Sequence, residues 1–413
     1  MTAWSLQDAE EHLLSLELFG MRFGLERMRR LLTALGSPQE SFGAIHVVGT
    51  NGKSSTVRFT AALLEAHGVR TGSFLSPHLT SFAERIRVGD ADLPPAAFGA
   101  AVQRAAAAAA KVDRTLPDGE RVTQFELVTA AAFDELARQG VEVAVVEAGL
   151  GGRHDATNVL AAPVCVLTSV GLEHTRWLGP TVRDIAREKL AVVAPGATLV
   201  LGDVPPEAEE EARLTGARIV AGIDAGTGLP GYQRQNFALA VAAATAHLGR
   251  ALDPERVAGA AALAQVPGRL QRVAEAPLTV YDGAHNAPGV EALVAALDGP
   301  DGVIGDRPLV AVVSVLDDKD AAAMLRALLP RCSALVATAS SNRRALPPAT
   351  LASLAGQVGE PGGAAVEIVP GPQAAVARAR ALAGPDGAVL ATGSIYLIAD
   401  LLSAPGARRA SAL

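Results

Sequence analysis

The stretch Gly49-Thr50-Asn51-Gly52-Lys53-Ser54-Ser55-Thr56 sets a lysine and three hydroxyl side chains immediately after a glycine turn. That order suits the grip of a polyphosphate. Glycines let backbone N–H groups approach phosphate oxygens, the N-terminus of a following helix adds positive potential, and Lys53 supplies a mobile cation. Ser54 or Ser55 stands where a hydroxyl reaches a magnesium ion. The strict pattern G-x-x-x-x-G-K-[ST] is not met, because Val47 occupies the place of its first glycine. An ordinary turn between a strand and a helix would also carry Gly52-Lys53-Ser54. The apolar run Ile45 to Val48 before it and the helical pattern over 55–67 after it favour phosphate binding.

A second constellation lies further on. Glu147 closes the apolar run that starts at Val141 and is followed by Ala148-Gly149-Leu150-Gly151-Gly152-Arg153. An acid at the carboxyl end of a strand, in a chain with a phosphate loop, sits where a magnesium-holding carboxylate is needed. The competing explanation is an acid that caps a turn. His174 follows the next apolar run, and Ser76, in Leu75-Ser76-Pro77-His78, closes another. Alone, the histidine reads as structural and the serine as a turn residue. Together with Glu147 they form a plausible magnesium site that keeps several waters. Lys189, on a helix expected over 181–193, reads from the pattern alone as a solvated lysine. Arg269, and Asp282 with His285, lie in a later part of the chain, where Asp282 again closes a strand.

The elements that must hold these groups alternate. Continuous aliphatic runs at 141–147, 164–170 and 198–201 suit parallel strands buried on both faces. A strand over 69–75 follows the first helix and completes a βαβ unit, and helices are expected over 95–112 and 124–139. From about residue 277 the alternation restarts, with strands at 278–282, 308–316, 334–340, 365–369 and 387–392 and helices between them. The spacing predicts an α/β protein of two α/β domains, a nucleotide-binding one over 1–267 and a smaller one over 277–413, joined by a linker over 268–276 that follows Pro267 and starts with Gly268-Arg269. A default ligand site is a cleft between them.

The 413 residues exceed what one core usually serves, and a hydrophobic content of 49% against 19% charged excludes wholesale disorder. Only 4% of residues are aromatic, so alanine and glycine must let helices and strands approach closely. A net charge of −7 argues against a nucleic-acid-coating surface. Cys165 and Cys332 lie far apart in apolar runs and read as buried thiols of a reducing compartment. The N-terminus lacks a secretory pattern and no apolar stretch is long enough to span a bilayer. A cytoplasmic protein acting on small molecules, without nucleic-acid or membrane partners, is expected.

Taken together, several strings resemble the folylpolyglutamate synthase/dihydrofolate synthase family of the Mur ligase superfamily. They are Gly49 to Lys53, Ser76-Pro77-His78, Glu84-Arg85-Ile86, Glu147 through Asn158, Leu172-Glu173-His174-Thr175, Pro267-Gly268-Arg269, Tyr281 through Asn286, Asp317-Asp318-Lys319-Asp320 and Thr392 through Leu397. They span most of the chain in order. The resemblance implies a P-loop, Mur-ligase-type domain followed by a Rossmann-like one. It implies ATP-dependent addition of L-glutamate to folates, and to dihydropteroate, through an acyl phosphate. By the family pattern, Thr50, Asn51, Gly52, Lys53, Ser54 and Ser55 cradle ATP, with Asn236, Arg269 and Asp282 contacting the nucleotide from the far side of the cleft. Ser76, Glu147 and His174 hold one or two magnesium ions, and a monovalent cation is a further cofactor. Lys53, Lys189 and His174 carry the catalytic roles, Lys189 as a carbamylated lysine. Thr123, Gln124, Phe125 and His154 contact the substrate, whose pocket also involves residues 20–27. The enzyme is expected to be a monomer. One departure is Ser54, where the family commonly has glycine, which leaves open which loop hydroxyl meets the metal.

Two other functions compete. A muropeptide-acting Mur ligase usually carries an additional N-terminal domain, whereas about 43 residues precede the first strand here. A nucleotide-dependent switch would hydrolyse its nucleotide without glutamate.

Overall fold

The computed structural model describes residues 3–16, 24–117, 119–263, 265–298 and 302–403. The chain forms two compact units, the first of Met1–Thr227 with Gln235–Ala264 and the second of Gly228–Arg234 with Gln265–Leu413.

Among the described residues, the first unit is built on one eight-stranded sheet. Its strands are β1 (Gly43–Val48), β2 (Thr71–Phe74), β3 (Ile86–Val88), β4 (Ala91–Asp92), β5 (Val143–Glu147), β6 (Val164–Leu167), β7 (Thr198–Leu201) and β8 (Arg218–Ala221), in the order β4-β3-β2-β5-β1-β6-β7-β8. β3 and β4 join antiparallel at one edge and the other strands run parallel. Every residue of β5 and β6 is buried, which is why these strands are unbroken aliphatic runs. β5 and β6, consecutive in the chain, flank β1 in the sheet. Val47 stands beside Glu147, and Val48 beside Leu167. The carboxyl ends of β5, β1 and β6 therefore emerge side by side at one edge, and each leads into a segment with candidate chemistry.

The helices of this unit are α1 (Leu6–Ser15), α2 (Glu26–Ala34), α3 (Lys53–Ala66), α4 (Pro95–Asp113), α5 (Gln124–Arg138), α6 (Thr175–Leu178), α7 (Val182–Leu190), α8 (Pro206–Arg213), α9 (Gly231–Leu248), whose first residues belong to the second unit, and α10 (Pro254–Leu263). Small residues do what the composition implies. A Cβ on Gly99 of α4 would sit 2.1 Å from the Trp4 carbonyl oxygen, so the segment entering α1 packs directly on the α4 backbone. α5 and α7 both start in reciprocal caps, Thr123 with Glu126 and Thr181 with Asp184, each satisfying two N–H groups.

Among the described residues, the second unit holds a six-stranded sheet of β9 (Gln271–Glu275), β10 (Leu278–Tyr281), β11 (Leu309–Val313), β12 (Cys332–Ala337), β13 (Ala365–Ile368) and β14 (Ala388–Thr392), ordered β13-β12-β11-β14-β10-β9. Helices α11 (Ala287–Leu297), α12 (Ala321–Leu328), α13 (Pro348–Val358), α14 (Pro372–Ala383) and α15 (Ile395–Leu402) alternate with the parallel strands. Val280, Leu293, Leu309, Leu335 and Leu390 lie at the centre of its core. The linker expected over 268–276 is corrected by this sheet. Those residues include β9, which pairs antiparallel with β10, so they are built into the second unit and the unit boundary falls before Gln265. A short run that mixes polar, charged and small apolar residues, Gln271-Arg272-Val273-Ala274-Glu275, fits an exposed edge strand as readily as a linker.

Cys165 and Cys332 are free and buried. Among the described residues, no helix is long and apolar enough to cross a membrane.

Candidate active site

The loop after β1 needs both of its glycines. Gly49 has φ 152° and Gly52 φ 86°. A Cβ on Gly49 would land 1.9 Å from Thr168 Oγ1, and one on Gly52 would land 2.4 Å from Asn236 Oδ1. The segment after β6 clamps the loop. Thr50 N–H donates to the Ser169 carbonyl at 2.9 Å, Asn51 N–H donates to Ser169 Oγ at 2.9 Å, and Thr168 Oγ1 donates to the Asn51 carbonyl at 2.6 Å. No side chain caps the start of α3, so its leading N–H groups are left for an anion. Lys53 folds back over the turn, donating from Nζ to the carbonyls of Gly49 at 3.0 Å and Thr50 at 3.1 Å.

Glu147 is buried at the end of β5 and faces this loop. Its Oε1 accepts from Ser54 Oγ at 3.1 Å and its Oε2 from the Ser76 N–H at 3.2 Å. Ser54 is thus the loop hydroxyl beside the carboxylate, while Ser55 Oγ is buried and has no hydrogen-bond partner. His174, on the segment after β6, adopts a left-handed conformation with φ 51° and ψ 36°, uncommon for a residue with a side chain. Its Nε2 lies 3.8 Å from Glu173 Oε1. A buried carboxylate beside the Ser54 hydroxyl, with Ser76 at the same carboxylate, an imidazole on the segment after β6 and no thiol, fits a hard divalent cation. Among the described residues, no three His, Cys, Asp or Glu side chains are grouped to hold a metal. An ion here would therefore also draw on hydroxyls, nucleotide oxygens and water.

Lys189 is not the solvated lysine its helix pattern suggests. It is buried, and its Nζ donates to the Gly49 carbonyl at 2.9 Å, the same oxygen that Lys53 contacts. Burial first, and then the nearby Lys53 charge, push its pKa from 10.5 down to about 7.

On the other flank, the loop after Glu147 rests on a buried chain of polar groups that the sequence did not single out. His46 Nε2 lies 2.8 Å from Thr157 Oγ1, Thr157 Oγ1 donates to Asp155 Oδ1 at 2.5 Å, and Leu150 N–H donates to Asp155 Oδ2 at 2.8 Å. Burial depresses the His46 pKa to about 4 and raises that of Asp155. Asp155 and Thr157 lay inside the quoted string, but only the fold shows that His46 meets them.

Of the four expected substrate contacts, Phe125 lies against the same loop: a Cβ on Gly149 would be 2.5 Å from its ring. Thr123 is the cap of α5, and its hydroxyl is engaged with Glu126. Gln124 is buried and donates from Nε2 to the Leu13 carbonyl at 2.8 Å, tethering α5 to α1. His154 is exposed in the turn after Arg153. Of the pocket expected at residues 20–27, positions 20–23 lie outside the described residues.

Asn236 was expected from the far side of a cleft. It instead lies in the first unit, on α9, against Gly52, because α9 packs beside the loop. Arg269 and Asp282 belong to the second unit. Asp282 is buried, with Oδ2 accepting from the Leu270 N–H at 2.8 Å and from the Tyr232 hydroxyl, and Oδ1 accepting from the Ala284 N–H at 2.9 Å. The Arg269 guanidinium lies over Gly283, where a Cβ would be 2.3 Å from Nη1.

The family model of the Mur ligase glutamate ligase domain matches residues 268–395. The Mycobacterium tuberculosis protein named dihydrofolate synthase/folylpolyglutamate synthase is 35% identical over 380 residues, covering 81% of this chain and 77% of that protein. This chain belongs to the folylpolyglutamate synthase/dihydrofolate synthase family. Solved structures of family members agree in fold over nearly the whole chain. The Mycobacterium tuberculosis folylpolyglutamate synthase complexed with ADP aligns with a TM-score of 0.88 at 32% identity, covering 95% of this chain and 96% of that one. A bifunctional folylpolyglutamate synthase/dihydrofolate synthase with Mn, AMPPNP and L-glutamate bound aligns with a TM-score of 0.83 at 27% identity, covering 96% and 97%. Family membership supports the two-domain α/β ligase fold and gives the muropeptide alternative no support.

Proposed function

We propose that this chain is an ATP-dependent ligase that joins L-glutamate to a folate, and also to dihydropteroate, through an acyl phosphate. The observation that carries the proposal is the meeting of Lys53, the uncapped start of α3 and the Ser54–Glu147 pair at one sheet edge, in a chain of this family. A carboxylate is a poor electrophile until one of its oxygens becomes a good leaving group. Phosphorylation by ATP achieves that, after which the amine of glutamate attacks the carbonyl carbon and phosphate departs.

The first step brings two anions together, and positive charge must offset their repulsion. Lys53 and the α3 N–H groups supply part of it to the phosphates. Glu147, Ser54, Ser76 and His174 are the groups that would hold magnesium, as one ion or two. A divalent ion there supplies further charge neutralisation for the transferred phosphoryl group. Thr50, Asn51, Gly52, Ser55 and Asn236 complete the nucleotide site of the first unit. Phe125 and His154 are assigned to the acceptor, with Thr123 and Gln124 holding the α5 start.

Lys189 is proposed to be carbamylated, which turns a buried cation beside Lys53 into an anion that attracts it. A monovalent cation, a monomeric state and a cytoplasmic location complete the proposal. Phosphate release with magnesium, ATP and glutamate, compared between dihydropteroate and a reduced folate, tests it. Glutamate-dependent turnover with both acceptors is expected, and turnover with neither removes the substrate assignment.

A further inference from the structure

Arg27, at the end of the 20–27 stretch, lies 99 positions before Glu126, yet it is buried and its guanidinium closes on that carboxylate. Its Nε donates to Glu126 Oε2 at 3.3 Å, and its Nη2 lies 3.2 Å from Oε1. The same carboxylate caps α5: Oε2 accepts from the Thr123 N–H at 2.9 Å and from Thr123 Oγ1 at 3.0 Å. A buried carboxylate needs a cation to offset its lost hydration, and a guanidinium meets both oxygens with a planar fork that an ammonium lacks. The start of α5 is held from a second side by the Gln124 tether to Leu13 in α1. What these ties fix is Phe125. Its ring occupies the space over Gly149, two residues beyond Glu147, and lies 5.9 Å from the ring of Phe74.

We propose that Arg27 is a positioning residue for the acceptor: its ion pair with Glu126 sets where α5 presents Phe125 against the Gly149 loop, and so how the acceptor's ring system is seated beside Glu147. Arg27 acts through Glu126 and touches no reacting atom. The identity of the acceptor rests on the function proposed above; the positioning chain does not.

Two measurements on the full chain, comparing wild type with Arg27→Met, separate these claims. Hydrogen exchange without substrate is expected to quicken at residues 122–127 and 148–152 and to stay unchanged at 49–54. In steady-state kinetics the KM for dihydropteroate is expected to rise by about ten- to a hundredfold, the scale of a small misplacement, while the KM values for ATP and glutamate stay within about twofold. Arg27→Lys, which keeps the charge but loses the fork, is expected to fall between, and it decides the matter alone if Arg27→Met fails to fold. Unchanged exchange at 122–127 and 148–152, or KM values for ATP and glutamate that rise in step with that of the acceptor, overturns the proposal. If wild type turns over neither dihydropteroate nor a reduced folate, the acceptor assignment falls and the exchange data still decide the positioning role.

Discussion

Lys189 gives the most demanding prediction. Its pKa falls from 10.5 to about 7 because the amine is buried and because Lys53 shares its carbonyl acceptor. At pH 8 about nine-tenths of such amines are neutral, against about 0.3% for an ordinary lysine, a gain of about 300-fold in the form that attacks carbon dioxide. The neutral amine adds to the carbon of CO2 and loses a proton, leaving a carbamate. The same depression means that the folded state disfavours the ammonium by about 4 to 5 kcal/mol. For a base whose folded pKa is lowered, that penalty is fully present below pH 7 and is relieved as pH rises toward 10.5. Lys189→Met is therefore expected to be more resistant to urea than wild type at pH 6.5, by an amount that shrinks as pH rises, while losing ligase turnover. With 13C-labelled bicarbonate at pH 8, wild type is expected to show a carbamate resonance that Lys189→Met lacks, and depleting CO2 is expected to lower turnover reversibly. A Lys189 that titrates near 10.5 and gives no such resonance refutes the argument.

Glu147→Gln keeps the shape and the Ser54 contact but removes the charge, so turnover is expected to vanish while the thermal midpoint stays near that of wild type; near-normal turnover would refute the metal role. Ser54→Ala is expected to raise the magnesium concentration needed for half-maximal turnover more than Ser55→Ala does, since only Ser54 lies beside the carboxylate. Gly52→Ala places a Cβ 2.4 Å from Asn236 Oδ1 at a φ of 86°. Calorimetry is expected to show at least a tenfold loss in ATP affinity, from about 1 to 2 kcal/mol of left-handed strain plus the clash. His46, depressed from 6.5 to about 4 by burial, stays neutral when folded, so its contribution is lost as pH falls through that interval. At pH 5 this amounts to about 2 kcal/mol, read as the steeper fall of urea stability between pH 7 and 5 in wild type than in His46→Gln.

How much of this was legible in the sequence depends on the range of each interaction. The phosphate loop and Glu147 stand at the ends of unbroken aliphatic strands, and local pattern carries them. The local pattern alone misreads Lys189, since a helix with Arg187 and Glu188 beside it looks solvated; only the resemblance singles it out, and the packing of α7 against the loop buries the amine. β9 looked like a linker because an edge strand needs few apolar residues. Arg27, His46 and Asn236 meet partners 99, 111 and 184 positions away, and no local spacing encodes such encounters. The order of β5, β1 and β6 is likewise a matter of crossover connections, which periodicity does not reveal.

The Gly49 carbonyl, shared by two ammonium groups, implies an order of events. A triphosphate arriving at the loop brings negative charge close to Lys189 and so holds the proton on that amine. Conversion to the carbamate is thus easiest while the loop is empty, and enzyme exposed to bicarbonate before ATP is expected to start working without the lag expected when ATP comes first.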